Sequence, residues 1–304
     1  MLILVMICVM TSTTTPTTAT LAGTYAPAVG VIVLWTGFIL VSRAGTAATL
    51  TPWDVIAIRY AVAAPVLLVM WWRSQRTSLC DIRFLILAGI GGLGYAIMAF
   101  LGFSSAPAAH AGILLPGTMP FMAAAWGGLI AGQRPSRSSW LGYATILAGI
   151  VCMAWSLEGL GSTLLGDACF LAAAALWTLF ATLLRRWSAD PITAITAVAV
   201  WTAIIYLPLW WAFLPSRIAT APLESIALQA GYQGVLASVI QMLLFARAIA
   251  LIGPQRMGSL MALVPVGAAI LAMPILGEPL SMPVVVAMVL VTAGALLINR
   301  SIPR

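Results

Sequence analysis

The residues able to do chemistry are few in this chain, and their scarcity narrows what it can be. Its 304 residues hold one histidine, His110, seven carboxylates, four cysteines and fourteen arginines with no lysine. A hydrolytic or metal centre needs several such groups on one face, and the motifs that gather them, GxSxG, HExxH and the Walker A loop, do not occur. Cys8, Cys80, Cys152 and Cys169 show no CxxC spacing, and three fall in or beside apolar stretches, as small buried hydrophobes do. The sequence reads as no enzyme, implies no metal or other cofactor, and offers no site for ATP as an energy source.

What remains is binding chemistry. Arg59 stands six residues into an apolar stretch, about 9 Å along a helix axis. A guanidinium at that depth either holds a substrate carboxylate inside a cavity or snorkels to the headgroups, with Asp54 as a nearby partner. His110, whose side-chain type titrates near physiological pH, begins another apolar stretch. Trp35 and Trp177 sit in the middle of theirs, as cavity walls or as packing. Tyr60, Tyr95, Tyr232, Ser238 and Gln241 add hydrogen-bonding groups to otherwise apolar runs. The expected substrate-binding set is Trp35, Arg59, Tyr95, His110, Trp177 and Gln241, in a cavity whose mild polarity suits neutral or zwitterionic solutes. Pro116, Pro120, Pro265 and Pro274 are expected inside helices, with Pro120 and Pro265 as hinges. The glycines at 89, 91, 92, 94, 128 and 132 are expected to permit close helix packing.

Such residues need elements to position them, and composition says which kind. Hydrophobic residues make up 62% of the chain, charged residues 7%, and the mean hydropathy is +1.10. A soluble chain so poor in charge could not cover its core. The apolar blocks are about 20 residues long, the length at which a helix crosses a hydrocarbon layer. Ten spans are predicted, at residues 25–44, 53–72, 82–103, 108–131, 137–156, 163–186, 191–213, 226–251, 256–276 and 281–299. Residues 1–24, apolar and then threonine-rich, are expected to form a disordered leader.

The spans repeat. LWTGFILVSR from Leu34 to Arg43 is echoed by LWTLFATLLR from Leu176 to Arg185, 142 residues on. Pro120 and Pro265 are 145 apart, and each is followed thirteen residues later by a polar residue, Gln133 and Glu278. Two five-helix halves follow, residues 25–156 and 163–299. Because five is odd, the second half enters the membrane in the opposite sense, which makes the halves inverted repeats around a central cavity and points to alternating access. Eleven arginines then fall on the side of both termini and two, Arg43 and Arg217, on the other, so both termini are expected in the cytoplasm.

In these motifs the chain resembles the EamA-type carriers of the drug/metabolite transporter superfamily. The resemblance rests on Trp35-Thr36-Gly37-Phe38 with Arg43, Pro52 through Arg59, Pro120 to Gly132, and Val264-Pro265 through Gly277-Glu278. It covers residues 25–299 and departs from the family's usual pattern at Gln133, where a Glu is common, and at Arg43, where a Lys is common. An amide has no titratable proton, so Gln133 could not couple ions as a Glu could. The resemblance implies a multi-pass protein of a bacterial inner membrane with a small-molecule substrate and the lipid bilayer as partners. Arginines scattered without a basic face imply no nucleic acid, and a complete ten-helix pair needs no second copy to form its cavity, so a functional monomer is expected. Amino-acid export, aromatic amino acids included, is its best-fitting activity, with a multidrug or other metabolite carrier as the alternative and a channel or membrane enzyme further off.

Overall fold

A computed structural model of the chain describes residues 21–74, 78–132, 137–155 and 163–301. Among the described residues the structure is all-helical. The helices are α1 (Leu21–Ala44, continued by a π-helical turn, Gly45–Thr49), α2 (Pro52–Ser74), α3 (Ile82 to Ser105, with a π segment Ala88–Gly94), α4 (Ala108–Ala131), α5 (Arg137–Trp155), α6 (Leu164–Arg186), α7 (Pro191–Phe213), α8 (Leu223 to Ile252, with a π segment Ala230–Ile240), α9 (Pro254–Met261), α10 (Val264–Leu276) and α11 (Met282–Ser301). Helix α1 starts four residues before the expected boundary, because nothing between Leu21 and Tyr25 breaks a helix. The rest of the expected leader, and Gln133, lie outside the described residues.

Seven of these helices, α1 to α4 and α6 to α8, are long and apolar enough to cross a membrane. The other three expected spans correspond to shorter apolar stretches, Ser139–Cys152, Val264–Leu276 and Met282–Ile298. The ninth is broken at Ala262 and Leu263, so Pro265 does not interrupt a helix as expected but lies in the first turn of α10. A proline there has no hydrogen bond to lose, and it disfavours helical geometry in the residue before it. Pro116 and Pro120 do lie inside α4, and Pro274 inside α10.

Helix ends follow local chemistry. Asp190 caps α7 by accepting from the Thr193 amide at 2.8 Å, with Pro191 in the first turn. Gly132 and Gly277 close α4 and α10 in the left-handed region, with φ of 64° and 67°. Gly132 is therefore a helix cap rather than the packing contact expected of it, and its missing Cβ would meet no neighbour.

The packing has a regular scheme. Helix α2 lies against α7 and α5 against α11. Helix α1 packs on α8 as α3 packs on α6, and α10 packs on α1 as α4 packs on α6. Gly142 and Gly294 let α5 and α11 meet backbone to backbone, since a Cβ on either would press on the other's carbonyl. All helices but α9 turn large apolar side chains outward, among them Val33, Trp72, Leu129, Leu165, Trp211 and Ile275. In water this surface would be a liability, and against lipid it is the expected face.

The two ends of the bundle differ. At one end Arg43, from the close of α1, donates its Nε to Glu278 at 2.8 Å and its Nη1 to the Phe103 carbonyl at 2.8 Å. The other Glu278 oxygen accepts from the Ala108 amide at 2.7 Å. At the opposite end, Arg186 donates to the Ile130 carbonyl and Trp201 Nε1 donates to the Leu79 carbonyl at 2.9 Å.

Candidate functional site

Between α2, α3, α6, α7 and α8 lies a cleft of about 430 Å³, its open mouth included. Arg59 stands at its head, roughly 10 Å along α2 from the Arg43 end. Leu67, Ile195 and Met242 carry the lining on towards the Arg186 end. Trp177 and Phe180 form one wall, and Tyr60 and Ser238 supply hydroxyls.

Arg59 is 9% exposed and belongs to none of the ion pairs among the described residues, which are Arg43–Glu278, Arg83–Asp81 and His110–Asp167. Its Nη1 donates to Gln233 Oε1 at 3.2 Å, and Gln233 Nε2 in turn donates to Ser42 Oγ at 2.9 Å. Its Nε has no hydrogen-bond partner among the described residues. The rings of Phe38 and Tyr60 lie 5.6 Å and 6.0 Å from the guanidinium carbon. Asp54 is not the counter-ion the sequence offered. Its carboxylate accepts from the Thr51 amide and hydroxyl, from Trp210 Nε1 and from the Arg217 amide, at 2.8 to 3.1 Å, and so ties α2 to the α7–α8 loop. Sequence proximity suggested the pair, but α2 starts at Pro52, which leaves Asp54 at the helix terminus and Arg59 more than a turn deeper.

The expected binding residues divide. Arg59 and Trp177 line the cleft together. Tyr95 lies behind the wall, its ring 5.0 Å from that of Trp177, which is in turn 5.4 Å from Phe180. Trp35 lies outside the lining, buried edge-on against Phe38 at 5.9 Å. Gln241 is also buried outside it, with Oε1 unpartnered. His110 is at the Arg43 end, where Nδ1 and Asp167 Oδ1 are 2.9 Å apart and join α4 to α6.

The Arg43 end is thus closed by links between the first and second parts of the chain. Glu278 joins α10 to α1 and α4, Asp167 joins α6 to α4, and Asp54 joins α2 to the segment after α7. Cleft lining is absent from this end and continues towards the other.

Gln233, Ser42 and Phe180 were not foreseen. One signal was available for Gln233: Ala88-Gly89-Ile90-Gly91-Gly92 and Ala230-Gly231-Tyr232-Gln233-Gly234 are 142 apart, the tryptophan offset, and both open a π segment. π segments leave the regular ladder and often mark functional positions. Gly91 packs on Phe180 and Gly92 on Thr202, while Gly234 packs on Val62, so each π segment lets a neighbouring helix approach the cleft.

Comparison with known proteins agrees with this architecture. A family model described as EamA-like transporter family matches residues 22–155 and again residues 164–300. Twenty-two solved chains match. One, titled only "Crystal structure of protein", superposes with a TM-score of 0.62 at 20% identity, over 91% of this chain and 96% of its own, which speaks for the fold. No curated protein matches.

Proposed function

The chain belongs to the EamA-like transporter family, a multi-pass membrane transporter of the drug/metabolite superfamily, and on that premise we propose that it exports small amphipathic metabolites bearing a carboxylate. Amino acids, aromatic ones included, are the first class to test. The observation that carries this reading is Arg59, a buried cation with no carboxylate partner among the described residues, at the head of a cleft walled by Trp177 and Phe180. A charge at that depth is costly, and a ligand carboxylate would neutralise it with a bidentate pair while an apolar body fills the remainder.

In this reading ten membrane helices form two inverted five-helix repeats around a central cavity, in a bacterial inner membrane, with both termini cytoplasmic and one chain sufficient for function. The exchange-symmetric packing of α1 on α8 with α3 on α6, and the matched π segments, support the repeat. The state described is closed at the Arg43 end, assigned to the outside, and its cleft extends towards the cytoplasm. Alternating access requires the Arg43 end to part and the Arg186 end to close. Pro120, inside α4, remains a hinge in this scheme, whereas Pro265 marks the break between α9 and α10.

The test is counterflow in proteoliposomes preloaded with members of an amino-acid and carboxylate panel, with and without a pH gradient. Arg59→Ala and Trp177→Ala should reduce flux. A panel that gives no flux above empty liposomes overturns the substrate class.

A further inference from the structure

We infer that the cleft selects a singly charged organic anion with an aromatic or otherwise apolar body, so that each export cycle carries one net negative charge and the membrane potential drives it. This rests on the carrier reading above and, within its carboxylate-bearing metabolites, puts monoanions ahead of amino acids. The mild polarity of the sequence favoured neutral or zwitterionic solutes; the charge balance around Arg59 favours something else.

The argument starts from where the carboxylates are. The chain has seven, Asp54, Asp81, Glu158, Asp167, Asp190, Glu224 and Glu278. The six in the described residues all stand at helix termini: Asp81 and Asp190 are N-caps, Asp54, Asp167 and Glu224 lie in first turns, and Glu278 follows the C-cap Gly277. Glu158 falls between α5 and α6 in sequence. None of the six shares the depth of Arg59, and three already close the Arg43 end. Among the described residues the guanidinium is therefore compensated by neutral groups, the Gln233 side-chain carbonyl, the Tyr60 hydroxyl and two ring faces. That is incomplete neutralisation of a buried charge.

Each ligand class can be set against this balance. A monoanion brings the site to neutrality. A zwitterion adds an ammonium for which the described lining offers no carboxylate; the Tyr60 and Ser238 oxygens, whose protons go to the Gly92 and Gln233 backbone carbonyls at 3.0 and 2.6 Å, can accept from it but bring no negative charge to balance it. A dianion leaves an excess negative charge in the same apolar surroundings. For the body, Ala63, Leu67, Val198, Ala199 and Met242 give no polar contact, and Trp177 with Phe180 offers aromatic faces.

The same balance answers how transport is energised. Among the described residues the lining holds no carboxylate or histidine to carry a proton with the substrate. An anion needs none, because the cell interior is negative and outward movement of a negative charge runs down the potential.

Full-length protein in liposomes, with potentials set by potassium gradients and valinomycin, tests this. The probes are phenylpyruvate, which stays ionised at neutral pH and leaks little, phenylalanine, which differs by an ammonium, and 2-phenylethylamine, which lacks the carboxylate. Phenylpyruvate efflux should rise when the lumen is made negative and fall when it is made positive. In detergent, phenylpyruvate should raise the melting temperature, with phenylalanine binding at least about tenfold more weakly, since an ammonium buried without an opposite charge costs more than a tenfold step in affinity. Arg59→Gln should abolish the phenylpyruvate-induced shift while the unliganded melting temperature holds or rises, because an uncompensated buried charge has been removed. Phenylalanine bound as tightly as phenylpyruvate, or phenylpyruvate flux indifferent to potential, overturns the inference and leaves the carrier reading intact. Phenylpyruvate stabilisation without flux of any probe upholds the charge selection and instead sinks the carrier reading.

Discussion

At the level of single residues, the two tryptophans of the repeated motif divide between cleft wall and buried core. Trp177 lines the cleft in contact with Phe180 and Tyr95, whereas Trp35 is buried against Phe38 and does not line it. Trp177→Ala should therefore raise KM for an aromatic substrate about tenfold with a smaller change in kcat, the loss expected when a stacking face is removed. Trp35→Ala should leave KM near its starting value and lower the melting temperature instead, since it opens a void in the core. Transport kinetics of the two variants, measured beside their melting curves, check the contrast. Arg59 and Trp177, which line one cleft, could be picked out in the sequence, because a charge and a large ring deep in apolar runs are conspicuous by type and position. Gln233 and Ser42 were not, since a polar residue in a span does not announce its partner, and theirs come from α2 and α8 across the bundle. Asp54 misled for the same reason: nearness in sequence to Arg59 says little about depth on a helix.

At the level of elements, proline and glycine acquire their meaning from where each helix starts and stops. Pro265 resembled Pro120 by spacing, yet it opens α10, while Pro120 lies inside α4. Pro265→Ala should change stability by less than about 0.5 kcal/mol, because a first-turn position has no intrahelical hydrogen bond to restore. Pro120→Ala restores such a bond and should slow transport if α4 bends during the cycle, which a single-turnover flux measurement would read. Gly277 is more demanding, since its φ of 67° is one an L side chain adopts at a cost of about 1 to 2 kcal/mol. It also aims the next residue, Glu278, at Arg43 and the Ala108 amide. Gly277→Ala should therefore both lower the melting temperature and weaken closure of the Arg43 end, seen as faster thiol labelling of a cysteine introduced at Ala106. Seven long apolar helices could be counted from composition, whereas the break between α9 and α10 could not be told from a full span, because hydropathy records length of apolar sequence and not where the backbone turns.

At the level of the whole molecule, the two-part architecture was readable because the same spacing recurs in tryptophans, prolines and glycines 142 to 145 residues apart. Which end is closed was not, since that depends on contacts among side chains from distant segments: Arg43 with Glu278, His110 with Asp167, Asp54 with the Arg217 amide. These contacts turn alternating access into a physical claim. If the Arg43 end must part for release, then holding it shut should stop turnover without removing the binding site. In a background without the native cysteines, the pair R43C and E278C joined by a short bifunctional thiosulfonate should abolish counterflow, reductant should restore it, and ligand-induced stabilisation in detergent should persist throughout. Flux that survives the cross-link would mean that substrate does not leave by this end. Orientation can be read separately in intact cells with an impermeant thiol reagent: exposed Arg217, replaced by cysteine, should label from outside, and native exposed Cys80 only in inverted vesicles. The two measurements together decide whether the charged end that is tied shut is also the end that faces the exterior, on which the direction of transport depends.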